Sequence, residues 1–202
     1  MNEIKNIIFD FGGVLVDWNP EYLYHQLFDN KQEMEFFLTR ICNAEWNMLQ
    51  DAGRSLKKAT EELLKKYPDY DEMIRMYYDN WEVMLKGEIH HNSMLINPLK
   101  ELNYRLFGLT NWSAETFPIA YHRFSFFKEF EGIVVSGIEK TVKPDKKIFR
   151  ILLNRYQIHP EDSLFIDDNI NNIKTADELG FRTIHVIENM NLKNSLEAMN
   201  IL

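Results

Sequence analysis

Hydrophobic and polar positions divide the chain into two textures. From Glu21 to His90 apolar residues recur at spacings of three and four, with few glycines and almost no β-branched runs. That is the signature of amphipathic helices, and it predicts helices over residues 20–28, 31–42, 55–66 and 70–85. Ser55 is placed to cap the third of these and Pro68 lies just past its end. Outside this block, short apolar runs at residues 4–10, 106–110, 132–136, 163–167 and 182–187 alternate with helical patterns at 113–121, 145–156 and 171–179. Gly180 follows the last of them as a C-cap.

Strands alternating with helices at this spacing imply βαβ units and a parallel sheet. The expected fold is therefore α/β, a doubly wound, Rossmann-like parallel sheet core formed by residues 1–17 and 93–202. The helical block, residues 18–92, interrupts it as an inserted four-helix cap. An insertion that leaves the first strand at its carboxyl end lies over the edge where open α/β sheets bind ligands, so it is placed to act as a lid.

Composition narrows the picture. A chain of 202 residues with 45% hydrophobic content buries one full-sized core plus a small insertion. A formal charge of -8 and the lack of a long basic run exclude a nucleic-acid backbone as partner. No apolar stretch approaches the ~18 residues of a membrane span. Residues 1–6 show no charged segment followed by a long apolar one, so a soluble, cytoplasmic protein is expected, as a monomer or weak homodimer. The single cysteine, Cys42, has no intrachain disulfide partner and reads as a buried small hydrophobe.

The candidate chemistry lies at the strand ends. The first strand runs into Asp10-Phe11-Gly12-Gly13, the second ends in Thr110-Asn111, Lys143-Pro144 lies in the loop after Ser136, and the fourth ends in Asp167-Asp168-Asn169. A parallel sheet brings these ends to one edge. An aspartate, with a reference pKa near 3.9, is largely ionised at neutral pH and can attack phosphorus without a base. Lys143 and the Thr110 hydroxyl offset phosphoryl charge, and a Mg²⁺ suits a few carboxylates plus substrate oxygens. Together the parts point to phosphoryl transfer.

In this order the four segments resemble the motifs of the haloacid dehalogenase superfamily. Phe9-Asp10-Phe11-Gly12-Gly13-Val14-Leu15 is similar to its first motif, Leu109-Thr110-Asn111 to its second, Lys143-Pro144 to its third and Phe165-Ile166-Asp167-Asp168-Asn169 to its fourth. The resemblance spans the whole chain and implies a Mg²⁺-dependent phosphatase that passes through an aspartyl-phosphate. In that reading Asp10 is nucleophile and metal ligand, the Gly12 carbonyl a second ligand and Asp168 the acidic ligand of the fourth motif. Asp167 then either ligates or supports. Thr110 and Lys143 hold the phosphoryl group and steady the nucleophile, Gly12 and Gly13 let the ligand approach the backbone, and Asn111 supports either role.

One position departs from the pattern. Phosphatases of this superfamily mostly carry a second aspartate two residues after the nucleophile, as general acid and base, and here that residue is Gly12. Such a group is typically worth about 10²–10⁴ in rate. Three readings follow. A sugar-phosphate phosphatase subgroup, α-D-glucose 1-phosphate phosphatases included, has a similar Asp-x-Gly-x-Val motif, and its substrate, a small phosphorylated metabolite, needs less acid help; water or a cap residue can also assist. A metal-independent haloacid dehalogenase is opposed by the Asp167-Asp168 pair. A catalytically weak or inactive phospho-ligand-binding member is the third.

Substrate choice is expected to lie in the cap. Residues 45–55, containing Trp46, Asp51, Gly53 and Arg54, resemble the helix-loop-helix that faces the site in this superfamily. Arg54 is a candidate partner for a second anionic group, Trp46 for stacking on a sugar ring, and Trp112 for the pocket wall. His90-His91 gives no metal pattern, since neighbours on an extended segment point in opposite directions.

Overall fold

Five parallel strands form the centre of the molecule, described for residues 3–202 in a computed structural model. In chain order the strands are β1 (Asn6–Phe9), β2 (Val16–Trp18), β3 (Leu85–Glu88), β4 (Arg105–Thr110), β5 (Gly132–Val135), β6 (Ser163–Asp167) and β7 (Arg182–His185). The main sheet has the order β5-β4-β1-β6-β7, with every pair parallel. From β1 the chain proceeds first to one side, through β4 and β5, and then to the other, through β6 and β7. That reversal opens a crevice at the carboxyl end of β1, where open α/β sheets bind ligands.

The middles of the central strands β1, β4 and β6 are apolar on both faces because both faces are covered. Ile7 and Phe9 face one core cluster and Ile8 the other; Leu164 and Ile166 are likewise separated from Phe165. This two-residue alternation sends successive side chains to opposite faces. Helices Lys146–Tyr156 and Ile170–Leu179 cover the second face through Ile148, Phe149, Leu152, Ile173 and Ala176. Each of these large buried side chains stabilises the fold by about 1.5–3 kcal/mol relative to exposure.

The helical insertion leaves and returns through an antiparallel ribbon that periodicity did not reveal. β2 pairs with β3, with Val16 opposite Glu88 and Trp18 opposite Leu85 and an irregularity between Asp17 and Trp18. The expected helix over residues 70–85 thus ends at Asp79, continues as a short 3₁₀ turn, Trp81–Met84, and becomes strand. Within the insertion, Glu21–Tyr24, Lys31–Phe36, Leu56–Lys66 and Asp71–Asp79 occupy the expected regions. Helix Ala44–Asp51 is an additional element, capped by Asn43, whose side chain accepts from the Trp46 N–H at 2.8 Å. Its apolar cluster is aromatic: Tyr24, Phe37, Trp46 and Tyr77 are all buried. Among the described residues no helix is long and apolar enough to cross a membrane.

Gly53 fixes where the insertion meets the sheet domain. It ends helix Ala44–Asp51 at φ +97°, and a Cβ there would stand 3.1 Å from the Gly137 carbonyl oxygen and 3.0 Å from Lys140 Cγ. A bare backbone in the left-handed region is what lets the two segments approach. Nearby, the Leu56 N–H donates to Glu115 Oε1 at 2.9 Å.

Candidate active site

Asp10 is the first residue beyond β1 and is still gripped by the sheet, its N–H donating to the Ile166 carbonyl at 2.8 Å. Its Oδ1 accepts from the Phe11 N–H at 2.7 Å. The Phe11 ring, fully buried among Phe117, Phe127 and Phe130, anchors the turn that follows. Gly13 turns at φ +70°, and a Cβ on it would overlap the Asp168 carboxylate. A side chain at Gly12, by contrast, would begin in open space, with no atom within 4 Å of its Cβ.

Lys143 reaches Asp10 from the loop that follows β5 and the short helix Ser136–Glu139. It is 1% exposed, and its Nζ lies 2.9 Å from Asp10 Oδ2, 2.7 Å from Asp167 Oδ2 and 2.8 Å from the Leu109 carbonyl oxygen. An ammonium has three protons, and these partners use all three. Lys143 therefore steadies Asp10 directly. Its backbone is clamped in turn: the Lys143 N–H donates to Asn111 Oδ1 at 2.8 Å, and Asn111 Nδ2 donates to the Lys143 carbonyl at 3.0 Å.

The acidic pair divides by solvation. Asp167 is fully buried and saturated by Lys143, by Asn172 Nδ2 at 3.0 and 3.1 Å, and by the Asn169 N–H at 2.8 Å. Asp168 is exposed, and His185 Nε2 lies 2.9 Å from its backbone oxygen rather than from its carboxylate. Oxygens of Asp10, Asp167 and Asp168 lie within 4.8 Å of one another, close enough to surround one cation. Thr110 is 1% exposed and its Oγ1 is buried without a hydrogen-bond partner. A buried hydroxyl left unpaired costs free energy, so this one awaits a ligand acceptor. Three carboxylates and an unpaired hydroxyl fit a hard divalent cation holding a phosphoryl group.

The electrostatics follow from crowding. Burial, with the Asp167 and Asp168 charges beside it, pushes Asp10 up to about 7 against the pull of Lys143. The ready ionisation expected from an unperturbed aspartate is thus absent in the metal-free site. Burial pulls Lys143 down, but Asp10 and Asp167 outweigh it and its pKa is raised, so the ammonium stays charged. Asp168 is also raised, by burial first and then by Asp167.

Beside Gly12, two residues beyond Asp10, is a cavity of about 90 Å³ between the insertion and the loop after Thr110. Gly12, Asn111 and Trp112 line it from one side and Trp18, Asp51 and Trp81 from the other. Helix Ala44–Asp51 supplies Asp51 at its last turn, aimed at this loop by the Gly53 turn. Of the residues singled out in the sequence, Asp10, Thr110, Lys143, Asp167, Asp168, Gly12, Gly13 and Asn111 meet at this one edge.

Trp112 forms the expected wall, with its Nε1–H donating to Thr116 Oγ1 at 3.1 Å. Two expected contacts fall elsewhere. Trp46 is buried in the aromatic cluster against Tyr77 and Tyr78, with Nε1 3.4 Å from the Ala59 carbonyl. Arg54 is spent on Glu62 Oε2 at 2.5 Å, Gln50 Oε1 at 2.7 Å and the Trp46 carbonyl at 3.0 Å, so it holds the insertion together rather than reaching for an anion. Asp51, within the segment expected to face the site, lines the cavity, whereas Trp18 and Trp81 carry no sequence signal because only the closing of ribbon and helix brings them together.

The profile of the haloacid dehalogenase-like hydrolases matches residues 7–186, which includes all four strand-end segments. The chain belongs to that family. The sesquiterpene phosphatase of Aspergillus oryzae is 23% identical over 92% of this chain and 91% of its own length. Mouse acyl-CoA dehydrogenase family member 10 is 38% identical over 72 residues, 36% of this chain but only 7% of that protein. A haloacid dehalogenase family enzyme from Bacteroides thetaiotaomicron, solved as a magnesium complex, superposes with a TM-score of 0.76 at 21% identity, covering 96% of this chain and 99% of the other.

Proposed function

We propose that this hydrolase is a Mg²⁺-dependent phosphatase that cleaves a small phosphomonoester through an aspartyl-phosphate on Asp10. The observation that carries the reading is the convergence on one point of a lysine-steadied Asp10, the open carboxylate of Asp168 and the unpaired Thr110 hydroxyl. The A. oryzae relative, named a phosphatase, and the magnesium-bound neighbour support it. The acidic pair, a saturated Asp167 beside the open carboxylate of Asp168, weighs against a metal-independent dehalogenase.

Asp10, the Gly12 carbonyl and Asp168 would hold the metal, with Asp167 fixing Lys143 behind them. The metal's charge would bring Asp10 back to its ionised form and offset the phosphoryl oxygens. Asp10 Oδ attacks phosphorus, Thr110 donates to a phosphoryl oxygen, and water then releases phosphate. The helical insertion acts as a cap that closes over the ester. No Lys or Arg is among the described residues lining the cavity, so nothing there pairs with a second anionic group on the ester. Three tryptophans supply apolar faces, and Asn47, Asp51 and Asn111 supply polar contacts; this combination suits a sugar phosphate. The cavity is far smaller than the ~300–1,000 Å³ of typical drug-sized clefts, so the group is small or the cap opens to admit it.

The test is phosphate release from a panel of sugar phosphates with Mg²⁺. Turnover abolished by EDTA and by Asp10→Asn is expected. Tight phosphate-ester binding without release would instead identify a binding module.

A further inference from the structure

We propose that Asp51, from the helical insertion, is the proton donor to the leaving group and the base for the hydrolytic water, taking the role that Gly12 cannot fill. This assignment rests on the phosphatase reading above and names the group that completes its chemistry.

The geometry is specific to this residue. Gly12 and Asp51 line the same cavity from opposite sides, and Asp51 is the one carboxyl among the described residues that line it. Asp51 lines the cavity together with Ser113, three residues beyond Thr110, whose backbone N–H draws its pKa down, and Asn47 Nδ2 lies 3.5 Å from its Oδ2. Asp51 thus bears on the loop that carries the phosphoryl-binding hydroxyl. In-line attack sends the leaving oxygen away from Asp10, and the cavity is bordered by Gly12 and Asn111, which follow Asp10 and Thr110 in the chain.

Protonation also fits. Burial pushes Asp51 up to about 7, only partly offset by the Ser113 N–H, so near neutrality it can both give and accept a proton. The titratable groups facing it are the phenols of Tyr77 and Tyr78, both raised by burial and protonated in this range, and Arg54, already held by Glu62 and Gln50. The loop after Thr110 presents the uncharged side chains of Asn111, Trp112 and Ser113 to the cavity, and its one charged residue, Glu115, accepts from the Leu56 N–H at 2.9 Å.

The two steps balance as follows. Asp10 Oδ forms a bond to phosphorus, the ester P–O bond breaks with its electron pair on the leaving oxygen, and that oxygen takes the Asp51 proton. Asp51, now a carboxylate, accepts a proton from water as its oxygen bonds to phosphorus. The P–Oδ bond breaks with its pair on Asp10, and phosphate leaves.

The test compares wild type, Asp51→Asn and Asp51→Asn/Gly12→Asp on para-nitrophenyl, phenyl and simple alkyl phosphates. A nitrophenolate leaves without a proton, whereas an alkoxide does not. For Asp51→Asn, kcat/KM on the alkyl ester should fall about 10²–10⁴-fold and on the para-nitrophenyl ester less than about tenfold. The Gly12→Asp carboxyl, entering open space at the same cavity, should restore much of the alkyl activity. Of the two aspartate carboxyl signals titrating near neutrality in the NMR spectrum of the metal-free protein, those of Asp10 and Asp51, one should vanish in Asp51→Asn and the other in Asp10→Asn. Equal losses on all three esters, or no loss, with wild type active and Asp51→Asn melting like wild type, overturn this assignment alone. A wild type that turns over no ester overturns the phosphatase reading as well.

Discussion

Replacing Lys143 by Met tests the buried charge cluster directly. Met keeps much of the volume of the lysine stem, so the change is chiefly electrical. It removes a cation that is 1% exposed and its contacts to Asp10, Asp167 and the Leu109 carbonyl at 2.9, 2.7 and 2.8 Å. Breaking a buried pair by deleting one partner costs about 3–5 kcal/mol, because the other charge stays buried and uncompensated. That is a large share of the ~5–15 kcal/mol that holds a typical domain together. The strained carboxylate is identifiable: Asp167 is fully buried, whereas Asp10 keeps slight access to solvent. Lys143→Met/Asp167→Asn should therefore be more stable than Lys143→Met by at least about 1 kcal/mol, although Asp167→Asn alone destabilises. Urea unfolding of the metal-free proteins at neutral pH measures all corners of the cycle. A loss below about 1 kcal/mol in Lys143→Met, or additive effects of the two substitutions, would refute the reasoning.

Thr110→Val exchanges an unpaired hydroxyl for a methyl group of similar shape, so its melting temperature should equal or exceed that of wild type while kcat/KM on phosphate esters falls at least about tenfold; a clear loss of stability would show that the hydroxyl is satisfied within the protein. The metal-free protein should also lose stability, relative to Asp51→Asn, as pH rises from about 4 to about 7. The folded Asp51 pKa of about 7 lies above the reference 3.8, so in this window the native state holds a proton that the unfolded chain has released. Urea midpoints across that range check the sign, and a pH-independent difference between the two proteins would be inconsistent with a raised Asp51.

Periodicity and turn chemistry made the five sheet strands readable, since each is a short apolar run bounded by polar or glycine residues, and the order of their polar ends marked one catalytic edge. Helix Lys146–Tyr156 was equally legible from its apolar spacing and the Asp145 cap. The β2–β3 ribbon was not: Leu85-Lys86-Gly87-Glu88 has too little β-branched character to read as a strand and gains its conformation only by pairing with Val16–Trp18. Helix Ala44–Asp51 was obscured by its weak apolar periodicity, with Met48 and Leu49 left exposed.

The sequence by itself determined the α/β class and marked Asp10, Lys143 and the acidic pair as residues of one sheet edge, because these depend on residue type at strand ends. Tertiary structure decided how they divide the work. Burial saturates Asp167 and leaves Asp168 open, and Lys143 spends all three protons behind Asp10. The insertion turns Arg54 and Trp46 inward, and the Gly53 turn brings Asp51 to a cavity that Gly12 leaves without a carboxyl. Such distinctions arise from burial and from contacts between residues far apart along the chain, which local pattern does not encode.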